Sequence, residues 1–343
     1  MLSHNPLVSI IIPVYNVENY IQRCLCSISK IDYNPFEVIL VDDSSQDHSA
    51  VIAESFLRSN PNWRILHKAK NEGVTRARIS GVEQASGKYI MFVDSDDYVD
   101  PSILSKLVST AEAQKADIVC GGLLYDNGKT LVKDSRCNDT SYDRSGINKL
   151  LEKSLIYDPS IKQAAIPPYL CGKLFRNDSG VIITSLKEGI DLDYEEDFIA
   201  LVYLLLNYVD AFVCLSDPLY YYVLHPGQLT SRHPIVLFKK AILICLRLDQ
   251  YDNNLFSKQI SYRSWLYIKS TLYRLSTMCS FAFYKSFVKS LFSEPILQKY
   301  IFCKSIRELP KEIISHPHFL FIKTHLYFFD FLFSRCINRR SIS

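Results

Sequence analysis

Glycine-rich phosphate loops are missing from this chain. No GxGxxG follows its first apolar segment, and GxxxxGK[ST] occurs nowhere. Both absences speak against dinucleotide oxidoreductases and P-loop enzymes. Ten cysteines are scattered without a repeated CxxC spacing, and Cys24 and Cys26 lie too close for an ordinary bridge on a helix. Neither disulfides nor zinc are implied, and a reducing compartment is expected. No secretory signal is expected either. Met1 to Pro6 is short and polar, and the first apolar run breaks at Pro13 without a basic segment before it. The last glycine is Gly227. Strong net charge is also lacking, but the total of +3 hides an asymmetry. Residues 1–231 carry 21 Lys+Arg against 30 Asp+Glu, and residues 232–343 carry 18 against 6. A boundary near 228–235 follows.

Of the 343 residues, 48% are hydrophobic and 22% charged. That suits a sizeable core in one large domain or two smaller ones. The organising stretch is Gly87-Lys88-Tyr89-Ile90-Met91-Phe92-Val93-Asp94-Ser95-Asp96-Asp97, where an apolar run ends in three carboxylates. Such a run predicts a strand buried on both faces, with the acids at its C-terminal end. Ligands bind at that edge of open α/β sheets. Three crowded acids need a positive partner, and a divalent cation carrying a phosphate ester would supply it. The alternative is a turn whose Asp97 or Asp100 caps the next helix.

In chain order, 8–16 and 36–41 read as buried strands, 64–67 as a short one and 88–93 as a fourth, with helices between them. Asp47 is expected to cap the second helix, and Asp100-Pro101 to start another. This alternation predicts a parallel sheet with helices on both faces over roughly the first 115 residues. Residues 117–132 read as a hairpin around Asn127-Gly128. Segment 133–160 is poorly patterned and expected to form a loop and a helix. Residues 181–183 and 211–215 are further strand candidates, and 197–208 a largely buried helix.

Two strands thus end in acids on one sheet edge, Asp42-Asp43 and Asp94/Asp96/Asp97. An acid at the first could accept from a base or ribose, and the second could hold a metal. Arg76, Arg78 and Lys173 could neutralise a diphosphate, or could be solvated surface charges. Glu195-Glu196-Asp197 could be helix-dipole acids, or a general base whose pKa is raised by neighbouring carboxylates.

VSIIIPVYNVENYI (8–21), EVILVDDSSQDHS (37–49), NEGVTRAR (71–78) and GKYIMFVDSDD (87–97) occur together and in order. With them, residues 8–131 closely resemble the inverting family 2 glycosyltransferases of GT-A fold. CGKLFR (171–176) and EEDF (195–198) resemble the bacterial capsule, lipopolysaccharide and exopolysaccharide members. The resemblance implies an α/β GT-A fold over residues 1–230, with a mostly parallel central sheet flanked by helices. Its nucleotide-binding half would be 7–115 and its acceptor and catalytic half 116–230. A basic, aromatic-rich helical extension would follow over 231–343. It further implies a nucleotide-sugar donor, usually a UDP-sugar, a glycan or lipid-linked glycan acceptor, and Mn²⁺ or Mg²⁺. Pro13 and Tyr15 would lie against the nucleoside, Asp43 would bind the base, and Asp42 would shape that pocket. Arg78, Ser95 and Lys173 would join the donor site. Asp94 would approach ribose and metal, and Asp96 would be the main metal ligand, with His225 a further candidate. Asp197, or Glu196 beside it, would be the base. The family's usual glycine is Ser44 here, and its asparagine after the Ala-Arg pair is Ile79.

The tail reads as helices over 236–248, 260–275, 281–291 and 318–333. Lys323, His325 and Asp330 interrupt the last, which argues against a transmembrane span. Its basic, aromatic character suits an anionic membrane surface, here the cytoplasmic face of the inner membrane. A packed helical subdomain or a homodimer interface are the alternatives. No nucleic-acid motif is present and none is expected to bind. Two rival functions fit the pattern less well. A sugar nucleotidyltransferase would usually carry a Gly-rich, Arg/Lys-containing loop where Pro13-Val14-Tyr15-Asn16 stands. A degenerate membrane scaffold would not need Asp94, Asp96 and Asp197.

Overall fold

The computed structural model describes residues 5–225 except 137, 157, 159, 160, 162, 193 and 194, then residues 234–251, 281–291 and single positions between 256 and 295. They fall into two compact units. The first takes residues 1–149 and 166–226, and the second residues 150–165 and 227–343.

The first unit is built on one mixed sheet. β1 (Val8–Val14), β2 (Phe36–Asp42), β3 (Trp63–His67) and β4 (Tyr89–Phe92) are the expected buried strands. β1 is buried at all seven positions, and the one polar residue in it, Ser9, donates its hydroxyl to Glu37 at 2.6 Å. It pairs in parallel with both β2 and β4. The order β3-β2-β1-β4 therefore reverses direction at β1, and the crevice beyond the strand ends between β1 and β4 is a topological switch point. Val14 O accepts from Asp43 N on the β2 side, and Ile11 O accepts from Val93 N on the β4 side. Position 13 therefore turns towards β4, just past the last β1–β4 pair, Ile11 with Phe92. The missing proline donor falls where no partner strand remains.

The helices between these strands are α1 (Ile21–Ile28), α2 (Ser49–Leu57) and α3 (Val74–Glu83). Asp47 serves the start of α2 as expected, accepting from Ser49 N at 2.9 Å. α4 (Ile103–Gln114) begins two residues later than the Asp100-Pro101 signal suggests. The Asp100 carboxylate instead takes the Ser102 amide and hydroxyl, closing a turn before the helix. Ahead of it, β5 (Tyr98–Val99) is a two-residue strand.

Beyond β4 the sheet stops being parallel. β6 (Ile118–Asp126) and β7 (Leu131–Lys133) form the expected hairpin. β8 (Thr140–Tyr142) and α5 (Arg144–Lys153) fill the poorly patterned segment. β9 (Lys173–Arg176) lies antiparallel to both β4 and β6 and joins the two halves of the sheet. β10 (Phe212–Val223) runs parallel to β6 with a bulge near Pro218 and carries β5 on its other side.

Residues 181–183 are not a strand. They lie in α6 (Ser179–Glu188), whose N-terminus is capped by Asp178 accepting from Val181 N at 3.2 Å. The buried positions Ile182, Ser185 and Leu186 follow helical spacing. α7 (Glu196–Asn207) is the expected buried helix. Arg144 donates to the carbonyls of Leu205, Leu206 and Val209, satisfying the C-terminal end of α7.

In the second unit, α8 (Pro234–Tyr251) and α9 (Phe281–Leu291) match the expected tail helices, and the described residues from 259 to 275 are largely buried. Gln259 donates to Leu151 O at 2.6 Å and accepts from Ile156 N at 2.7 Å, so residues 150–165 are held by the tail. Among the described residues no helix is long and apolar enough to cross a membrane. The expected helix over 318–333 lies outside the described residues.

Candidate active site

The acids at the ends of β2 and β4 lie on one sheet edge, on either side of β1, each in a different environment. Asp42 is buried, accepting from Ser45 N at 3.0 Å and lying 3.2 Å from His67 Nδ1. Asp43 is 2% exposed, and its carboxylate accepts from the backbone N–H of Glu72 and of Gly73. Asp43 thus anchors the loop that starts α3. Ser44, which replaces the family's glycine, adopts the left-handed φ of +65° that a glycine favours. Pro13 is buried beneath this edge, and Tyr15 is 45% exposed above it.

The loop after β4 is clamped to β10. Asp94 N donates to the Tyr220 hydroxyl, which donates to Asp97 Oδ2 at 2.7 Å. Val223 N donates to Asp97 Oδ1 at 2.8 Å. Asp97 is buried, and burial, followed by the charges of Asp96 and Asp94, pushes its carboxyl well up. Ser95 is buried too, whereas Asp94 and Asp96 stay partly open. Asp96 Oδ2 lies 2.8 Å from His225 Nε2, and the His225 ring stacks on Tyr20 with centroids 4.4 Å apart.

α7 brings the second set of acids. Glu195 caps it with a left-handed φ of +57°, turning Glu196 and Asp197 into the first helical turn. Asp197 Oδ2 accepts from Leu170 N at 3.1 Å, and its other oxygen pairs with Arg78. Arg78 also donates to Asp94 Oδ1 at 2.9 Å and lies 3.6 Å from Glu196 Oε1. Burial, then the Asp197 charge, pushes Glu196 up to about 7 against the pull of Arg78. Burial also raises Asp197, again opposed by Arg78. Burial works against the charge of Arg78 itself, but Asp197, Asp94 and Glu196 outweigh it and hold the guanidinium above its ordinary value.

Arg78, Asp94, Asp96, Asp197, Glu196 and His225 are thus gathered at one edge. Lys173 differs from the expectation of a diphosphate contact. It is fully buried at the start of β9, and its ammonium donates to the carbonyls of Pro167 and Tyr169. Its charge supports the loop that presents Leu170 N to Asp197. Arg76 is exposed on α3. Sequence reasoning did not single out Tyr220 and Leu170. Tyr220 opens a run of three tyrosines, Tyr220 to Tyr222, that no pattern tells apart, and Leu170 contributes a backbone amide that no side-chain pattern reveals.

Among the described residues, metal-ligating side chains come together in one group of three and in one pair. Asp94, Asp97 and Cys171 lie close together. Asp97 is already satisfied by Tyr220 and Val223, and burial holds the Cys171 thiol well above its ordinary value, so this group does not suit a hard cation. Asp96 and His225, paired at 2.8 Å, offer partly open oxygen and nitrogen donors. They fit Mn²⁺ or Mg²⁺ bound by one or two carboxylates plus substrate phosphates.

Residues 9–162 match the family described as Glycosyl transferase family 2. An uncharacterized glycosyltransferase of Bacillus subtilis, EpsJ, is 44% identical over 117 residues, which span 34% of either chain. A putative glycosyltransferase of the same organism, EpsH, is 26% identical over 244 residues, 70% of this chain and 67% of EpsH. The match to EpsJ thus spans about a third of that relative's length. Among solved structures, S. aureus TarS (residues 1–349) shares the fold with a TM-score of 0.67 at 20% identity, over 97% of this chain and 91% of that one. The same part of TarS has been solved in complex with UDP and with UDP-GlcNAc. The chain thus shares the fold of TarS, and its match to the family 2 glycosyltransferases spans residues 9–162.

Proposed function

We propose that this protein moves a sugar from a nucleotide-sugar donor, a UDP-sugar, to a hydroxyl of a growing surface glycan or lipid-linked acceptor, with inversion at the anomeric carbon. The observation that carries this reading is the meeting of Asp94 and Asp197 on one guanidinium, Arg78, at the switch-point crevice. Acids from the end of β4 and from α7 are there held together by one side chain. TarS, which shares the fold, has been solved with UDP-GlcNAc, so UDP-GlcNAc is the first donor to test.

Tyr15 and Pro13 form the wall for the nucleoside, with Asp42 and Asp43 beneath it. Asp96 and His225, with Asp94, would hold Mn²⁺ or Mg²⁺, which when bound offsets charge on the leaving diphosphate. Asp197 takes the proton of the acceptor hydroxyl. That oxygen bonds to the anomeric carbon as the bond to the diphosphate oxygen breaks, and the electron pair leaves with UDP. The incoming oxygen arrives opposite the leaving group, so an α-linked donor gives a β-linked product. A carboxylate raised by burial suits this step, because a base works best when its pKa lies near the operating pH. Residues 232–343, with an excess of 12 positive charges, support a peripheral contact with anionic lipid on the cytoplasmic face of the inner membrane, where a lipid-linked acceptor would be met.

The test is UDP release from a panel of nucleotide sugars in Mn²⁺, Mg²⁺ or EDTA, with wild type and Asp96→Ala. Slow hydrolysis of one donor, abolished by EDTA and by the substitution, is expected. Absence of UDP binding by calorimetry in either metal would overturn the reading.

A further inference from the structure

The family resemblance places Arg78 beside the nucleotide, but its contacts point elsewhere. Arg78 is 2% exposed, and both terminal nitrogens are spent on carboxylates. One reaches Asp94 on the donor side, and the other reaches Asp197 and Glu196 on α7. Its Nε is buried without a hydrogen-bond partner. We propose that Arg78 is a positioning residue, a strut that fixes the Asp94 carboxylate and the α7 acids at a set separation, and that it does not hold the diphosphate. This inference rests on the transferase reading above.

Three features support it. The nearby cations are used otherwise, since Lys173 donates to two loop carbonyls and Arg76 is exposed. Arg78 is therefore the main compensating charge for Asp94, Glu196 and Asp197, with Lys173 adding a weaker pull on Asp197. A planar guanidinium can span two carboxylates with directed bonds, which a lysine point charge cannot. Finally, the strut is itself anchored. Asp43 fixes Glu72 N and Gly73 N, and α3 starts at Gly73 with φ +92°, so β2 sets the register that delivers Arg78. On the other side Gly189 packs against Glu196, where a Cβ would come 2.8 Å from the Glu196 carbonyl oxygen.

The experiment compares wild type, Arg78→Met and Arg78→Lys by calorimetry with UDP and Mn²⁺, by UDP release across pH 5.5–9, and by melting temperature over the same range. In Arg78→Met, UDP affinity should stay within about threefold. The acid limb of the release profile should move up by about one to three pH units, since an adjacent cation lowers a carboxylate by that much. Its melting deficit should widen as pH rises and the acids ionise unpaired. Arg78→Lys should keep UDP affinity and hold the acid limb near wild type while turnover falls, because charge is restored without the directed span. Should Arg78→Met fail to fold, Arg78→Lys still decides the matter by UDP affinity. A loss of UDP affinity beyond about 30-fold in either variant would make Arg78 a donor ligand and overturn the proposal. A melting deficit in Arg78→Met that is flat with pH would do the same. If wild type itself fails to bind UDP, the transferase reading falls instead.

Discussion

Glu196 and Asp197 are neighbours in sequence but not equivalents. Asp197 is tied by Leu170 N and Arg78, whereas Glu196 reaches Arg78 only at 3.6 Å. Burial, then Asp197, moves Glu196 from 4.5 to about 7. A carboxyl raised in the folded state favours folding while protonated, and that contribution is lost as pH climbs from 4.5 through 7. Glu196→Gln should therefore match wild-type stability at pH 4.5 and exceed it at pH 8 by up to about 3 kcal/mol. Urea unfolding at the two values checks the sign, and an advantage confined to the acid side would refute it. Asp197→Asn should lower transfer roughly 10²–10⁴-fold, the range of a general base. UDP affinity should persist, and calorimetry beside a turnover assay separates the two.

The β/α alternation of the first half was readable because each buried strand is a compact apolar run closed by acids or turn residues. The second half was less so. Val181-Ile182-Ile183 reads as a strand on composition, but the Asp178 cap and the buried Ser185 and Leu186 select a helix. β9 escaped notice because Lys173-Leu174-Phe175-Arg176 is only four residues long with a charge at each end. The candidate site was legible as residue types at strand ends. What was hidden is contact, namely the Tyr220 hydroxyl, the Leu170 amide and the choice of Arg78 over Lys173 as the cation. β10 carries much of this burden, and its bulge sits against Gly122. A Cβ there would come 2.3 Å from the Asp217 carbonyl oxygen. Gly122→Ala should cost about 1–3 kcal/mol by overpacking, or more if β10 cannot shift. Thermal unfolding would show it, and an unchanged melting point would mean that the bulge yields freely.

The second unit is not a simple appendage, because it includes residues 150–165 from the middle of the chain. Leu155 and Ile156 are buried there, and Gln259 closes both a donor and an acceptor on that segment. A chain ending at residue 226 would lose those partners and expose that apolar turn. Such a truncation should yield aggregated protein by size-exclusion chromatography. A monodisperse product with the full-length melting temperature would show that the segment stands without the tail.

The same interleaving reaches into synthesis. Ile156 must wait for a residue 103 positions later. At 5–20 residues per second, that leaves its segment without a partner for roughly 5–20 seconds on the ribosome. Throughout that interval the nascent chain carries Leu155 and Ile156 without the residues that complete their unit. Slower translation lengthens the exposure, so for this protein the codons beyond residue 227 become a determinant of yield.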